Sequence, residues 1–167
     1  GVFGRSSFTM EDVVIEQSGC HGVVAAGRGV EGRCTNVQVR QCGGCGVFVT
    51  NGGSITLIGM SSSIQENCSN KEKSETNFGL YVSDSSSTIQ LVSPLVKEDV
   101  SINNGGGGNW GVAYGDVAKI KHIGAYEYAA ATFPSVAYRY WLIENNKYDK
   151  NENEKRYMYH KTVAKKQ

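Results

Sequence analysis

Two acidic residues have a spacing that could do chemistry. Asp84 and Asp116 each lie five residues after a recurring glycine, Gly79 and Gly111. Stacking of repeats would bring the two carboxylates together, with Asn51 in the same register. Paired carboxylates can bind a cation or divide acid and base roles. Retaining glycosidases hold theirs about 5–5.5 Å apart. Asn and Asp also cap tight turns with no chemistry at all. Neither residue has an evident basic or aromatic companion in the repeat.

Thiols and imidazole make the second constellation. Cys42-Gly43-Gly44-Cys45 is a C-x-x-C in a turn. Cys20 and His21 fall on the equivalent turn of the preceding repeat, and Cys68 on the following one. Zinc favours tetrahedral Cys and His donors, so these five are candidate metal ligands. Zinc knuckles usually supply two such Cys pairs, and only one is present. Stacked small residues in a tight turn, or a disulfide, are the alternatives. The five cysteines are an odd number, which points to free thiols rather than a disulfide-stapled secreted domain. No cofactor is expected.

The third candidate is a surface. Val24, Phe48 and Tyr81 occupy matching positions next to Val23, Val47 and Leu80. With the latter three facing inward, the former three would form an outward apolar stripe. Such stripes mark interaction surfaces, and aromatic rings can stack on sugars. The tail carries Tyr138, Tyr140, Trp141, Tyr157 and Tyr159, then Lys161, Lys165 and Lys166. Aromatic residues mixed with basic charge could contact nucleic acid. Packing of a capping element explains them more economically.

The elements that must position these residues come from a repeat. Residues 13–23 recur at 37–47, as V-V-I-E-Q-S-G-C-H-G-V and V-Q-V-R-Q-C-G-G-C-G-V. Weaker copies begin near Ile64 and Val100. Val, Ile and Leu alternate with polar residues, the mark of half-buried strands. Gly, Asn and Ser stand between, with 21 Gly and 2 Pro suiting repeated tight turns. Gly22, Gly46, Gly79 and Gly111, each followed by Val or Leu, favour a solenoid over a sandwich. A solenoid stacks equivalent residues about 4.8 Å apart.

The predicted fold is therefore all-β: a right-handed parallel β-helix of about four coils over residues 1–123. The inward ladders are Ile15, Val39, Ile64 and Ile102, then Val23, Val47, Leu80 and Val112. A third includes Ile55, Leu57, Ile89 and Leu91. Residues 28–34 and 117–123 can be phased either way. A charged insertion at 69–75 protrudes as a loop, and residues 105–108 form a flexible bulge. Residues 124–167 form a Tyr-rich cap, with 126–133 as a joint and strands at 135–143 and 155–163 making a hairpin.

Over residues 8–123 the coil pattern resembles the pectin-lyase-like right-handed parallel β-helix superfamily. That resemblance implies either a polysaccharide lyase, hydrolase or epimerase, or a viral attachment or capsid-associated protein, and the fold alone does not decide. The Asn-x-Asp, Asp-Asp, Gly-His-Gly and Arg-x-Lys elements of polygalacturonase-like members are absent. His21-Gly22 is preceded by Cys20, not Gly, and the chain has only five Asp. Four coils is also short for a groove that holds a sugar chain.

The expectation is a non-catalytic structural or attachment module, virion-associated, working through protein or glycan contacts on its surface. The alternative is a polysaccharide-processing enzyme, or a remnant of one, using Asp84 and Asp116. The expected partner is a protein or a second copy of the chain, or else a glycan. A net charge of +1 argues against a dedicated nucleic-acid partner. No apolar run reaches the roughly 20 residues of a membrane span. The chain begins at Gly1 and shows no secretory leader. Localisation stays open between a virion and a reducing intracellular compartment.

Overall fold

Alternation of apolar and polar residues builds short strands, and short polar or glycine-containing turns join them. A computed structural model describes residues 1–69, 76–114 and 119–132. Its strands form three all-parallel sheets, an arrangement consistent with a parallel β-helix. The first sheet holds β1 (Val2–Gly4), β4 (Val23–Ala26), β7 (Val47–Thr50), β10 (Phe78–Val82) and β13 (Gly108–Val112). The second holds β2 (Phe8–Glu11), β5 (Glu31–Thr35), β8 (Ser54–Ile58), β11 (Thr88–Val92) and β14 (Ile120–Ile123). The third holds β3 (Val14–Glu16), β6 (Gln38–Arg40), β9 (Ser63–Gln65) and β12 (Ser101–Ile102). The chain visits the sheets in rotation, so each trio of strands forms one rung stacked on the last.

Inward side chains stack rung on rung into a common core. Ile15, Val39 and Ile64 pair in register, as do Val23, Val47 and Leu80. The third ladder runs Gly32, Ile55, Ile89, Ile120, beside Cys34, Leu57, Leu91. Most of these side chains are wholly buried. Each large one contributes about 1.5–3 kcal/mol before entropy is counted. The ambiguous segments resolve accordingly: Gly32, Cys34 and Ile120 face in. Gly32 has no side chain because the Phe8 ring occupies that space.

Two ladder positions differ from the sequence expectation. The partner of Ile64 is Ser101, and Ile102 lies beside Gln65. The chain arrives there through a one-turn helix, α1 (Lys97–Val100), which spends Val100 on the core. The partner of Leu80 is Trp110, and Val112 pairs with Val82. Matching Gly111-Val112 to Gly79-Leu80 slips the register by two residues. Gly111 in fact faces Tyr81. Residues 105–108 form a hydrogen-bonded turn, with Gly108 N donating to Gly105 O at 3.1 Å, leading straight into β13.

The corners are as regular as the strands. Gln17, Gln41, Glu66 and Asn103 all adopt left-handed backbone, with φ of 53°, 55°, 55° and 56°. Left-handed backbone costs a non-glycine residue roughly 1–2 kcal/mol. Here it bends the chain from the third sheet towards the first. At the end of that bend, a Cβ on Gly22 would overlap Val39 Cγ1, and one on Gly46 would overlap Ile64 Cγ2. Only glycine lets the first sheet approach the third so closely.

The chain divides into two compact units, Gly1–Ile123 and Gly124–Gln167. In the second, residues expected as an Ala/Tyr-rich joint form a helix, α2 (Ala125–Thr132). Consecutive alanines are the strongest helix formers, and Glu127 suits the first turn. The expected capping hairpin and basic tail, with Tyr138, Tyr140, Trp141, Tyr157, Tyr159 and the terminal lysines, lie outside the described residues. So does the insertion from residue 70 to 75.

Candidate functional site

The corner between the third and first sheets gathers most of the chemistry-bearing side chains. Gly44 N donates to Cys20 O at 2.7 Å, and Cys68 N donates to Gly44 O at 2.9 Å. Cys20, Gly44 and Cys68 therefore form one column. His21 sits across from Cys45, whose main-chain N–H donates to His21 Nδ1 at 2.9 Å. A Cβ at Gly44 would lie 2.7 Å from that nitrogen, so the second glycine of the C-x-x-C makes room for the ring. Burial lowers the His21 pKa and keeps the imidazole neutral, as an acceptor must be.

The thiols point in different directions. Cys42 Sγ lies 3.6 Å from Arg40 O and belongs to the core. Cys45 Sγ faces Thr76 O at 3.8 Å and Asn77 Oδ1 at 3.7 Å. All five cysteines are free, and only Cys20 is exposed. Burial pushes Cys45 up to about 11, with hydrogen bonds at Phe78 and Cys45 opposing it. Burial likewise pushes Cys34 and Cys68 up to about 12. Among the described residues no three His, Cys, Asp or Glu side chains are grouped to hold a metal ion. The candidate ligands Cys20, His21, Cys42, Cys45 and Cys68 form no such group. His21 is committed to a main-chain N–H.

On the outer face of the first sheet, Val24, Phe48 and Tyr81 pair in register. They do not form an open stripe. Val24 is 3% exposed and Tyr81 7%, while Phe48 is half-buried. The rings cover one another. His21 lies 4.8 Å from Phe48, Phe48 5.5 Å from Tyr81, and Tyr81 5.2 Å from Phe78, centroid to centroid. Phe48 and Tyr81 are tilted by only 11°. Spacing along the solenoid axis forces rings in successive rungs face to face. Phe48 and Tyr81 thus turn a face to each other. The ladder opens at one end, where Phe3 pairs with Val24 and is 59% exposed, with Arg5 5.6 Å above its ring.

Asp84 belongs to a turn on the other side of the first sheet. Its carboxylate accepts from Asn51 N at 2.6 Å, Ser86 N at 2.9 Å, Ser86 Oγ at 2.6 Å and Ser87 Oγ at 2.8 Å. Partial burial works against ionisation, but these four donors outweigh it and hold the pKa down to about 2. A carboxylate so bound is a turn cap, and a poor base. Asn51 does share its register, as expected. Asp116 lies outside the described residues. The register correction removes the argument that paired it with Asp84, because Gly111 is not the counterpart of Gly79.

The most connected polar residues in the corner are two asparagines that sequence reasoning passed over. Asn67 Oδ1 accepts from Cys42 N at 3.1 Å, and Nδ2 donates to Val39 O at 3.0 Å. Asn104 repeats this one rung on, accepting from Asn67 N at 3.0 Å and donating to Ile64 O at 2.9 Å. Each follows the left-handed residue of its corner, the position held by Cys42 and Ser18 in earlier rungs. That shared position was visible in the repeat. Comparison with protein-family models, with curated proteins and with solved structures found no match.

Proposed function

We propose that the chain is a non-catalytic structural or attachment module, built on a right-handed parallel β-helix of about four coils. The resemblance to pectin-lyase-like proteins fits its structural members better than its enzymes. The observation that carries this reading is the commitment of Asp84. Four hydrogen bonds tie its carboxylate to its own turn. His21 is likewise committed to a main-chain N–H. Asp84 and His21 thus hold corners together. A second copy of the chain is the partner we favour, with the exposed Phe3 as the apolar contact it would use.

The test is sedimentation across a concentration series, with polyuronate cleavage assayed in parallel. Self-association that weakens in Phe3→Ala, together with no turnover, supports the proposal. Turnover abolished by Asp84→Asn would establish the enzymatic alternative instead.

A further inference from the structure

We propose that His21 is a pH-sensitive latch on the Cys42–Cys45 turn, and that its protonation opens the corner and uncovers the Cys45 thiol. The geometry is specific. Neutral Nδ1 is the acceptor for the Cys45 N–H at 2.9 Å. Gly44 leaves the space in which the ring lies, and Phe48 backs it at 4.8 Å. Ser18 Oγ donates to His21 O at 2.9 Å and fixes the main chain beneath the ring.

An imidazolium carries a proton on both nitrogens and cannot accept. Protonation therefore turns an attractive contact into two donors facing one another, above the buried Cys45. Among the described residues, the titratable groups near the ring are Cys20 on its own turn, Cys45 on the next rung and Tyr81 one ring further along the stack. None of these is a carboxylate that would welcome the cation. Burial lowers the pKa of His21 in keeping with this, so the latch holds at neutral pH and releases on acidification.

What opens is local. Gly43 and Gly44 remain tied to Ser18 O and Cys20 O, each at 2.7 Å, and Cys42 N stays bound to Asn67 Oδ1. At Cys45 the main-chain N–H loses its acceptor, while the carbonyl keeps Gly22 N at 2.9 Å and the thiol lies against Thr76 O, Asn77 Oδ1 and the main chain at Phe78.

The experiment is labelling with 4,4′-dithiodipyridine, which reacts with thiols in acid, read residue by residue by mass spectrometry. Cys34, buried elsewhere in the core, is the internal reference. On going from neutral pH to about pH 5, Cys45 labelling should rise roughly tenfold relative to Cys34. In His21→Gln the side-chain oxygen still accepts and does not titrate, so the rise should vanish. Equal acceleration of Cys45 and Cys34 overturns the proposal, as does an unchanged pH response in His21→Gln. Should that variant fail to fold, ring nitrogen shifts of the wild type decide the matter. A neutral tautomer protonated at Nε2, titrating together with the Cys45 amide signal, supports the latch, and independent titrations overturn it.

Discussion

Asn104 Oδ1 receives both the main-chain N–H and the side-chain Nδ2 of Asn67, each at 3.0 Å. One amide oxygen thereby closes the corner of the rung before it. The same Asn67 amide reaches back to Cys42 and Val39. Removing it takes that partner from two buried main-chain groups of the preceding rung, Cys42 N and Val39 O. Asn67→Ala should destabilise the fold by about 2–4 kcal/mol, read from urea midpoints. Asn67→Asp keeps the acceptor and loses the donor, and should fall as far or further. A loss below about 0.5 kcal/mol in Asn67→Ala would mean that the corner closes without its staple.

Val47 stands in the centre of the first-sheet ladder, between Val23 and Leu80, and is wholly buried. An aspartate there has no cation to meet. Val47→Asp should prevent folding at room temperature, a loss above about 4 kcal/mol. Wild-type thermal melting in that variant would contradict the observed register.

The aromatic ladder changes what truncation of Phe48 should do. As an exposed stripe it would matter for assembly alone. As rings stacked between His21 and Tyr81, it contributes to the fold. Phe48→Ala should lower stability by about 1–3 kcal/mol, whatever it does to self-association. Calorimetry distinguishes the two, because an assembly effect varies with protein concentration and a folding effect does not.

Asp84 gives the acid limb of stability a predictable sign. Its folded pKa of about 2 lies below the ordinary 3.8. The contribution is complete above pH 3.8 and is lost as pH falls towards 2. Asp84→Asn should flatten the pH dependence of melting across that window. An equally steep acid limb in the variant would assign the effect to other carboxylates.

Thiol counting tests the corner and the core together. Cys20 is the exposed cysteine, and the other four are buried. In the native protein at neutral pH, maleimide should modify Cys20 within minutes and the others only over hours; in denaturant all five should react. Rapid labelling of Cys68 in the native state would show that its corner is open.

The strands were readable because alternation and recurrence both report a stacked ladder. Val23, Val47 and Leu80 fell into place on that basis alone, as did Ile15, Val39 and Ile64. The fourth rung was misread where local cues conflicted. Gly111-Val112 copies the Gly-Val pair, yet β13 begins earlier and puts Trp110 opposite Leu80. At Ile102 a helical turn intervened, and one-turn helices leave little periodic signal. The site was less legible than the fold. Outward position was inferred correctly for Phe48 and Tyr81, but outward does not mean exposed when like rings stack on one another. The staple at Asn67 and Asn104 was hidden for a simpler reason. A buried asparagine in a repeat of Gly, Asn and Ser looks like any turn residue until its partners are seen.

Successive rungs are not equally long. Val23 and Val47 are 24 residues apart, Val47 and Leu80 are 33, and Leu80 and Trp110 are 30. The ladder keeps step all the same, so its metre is set by contacts and not by counting residues. Extra chain leaves at the corner after β9 and rejoins before β10. Lengthening such an excursion costs only about 0.6 kcal/mol per doubling. That corner is thus a natural graft point: a foreign peptide spliced in after Ser69 should leave the ladder on either side in step.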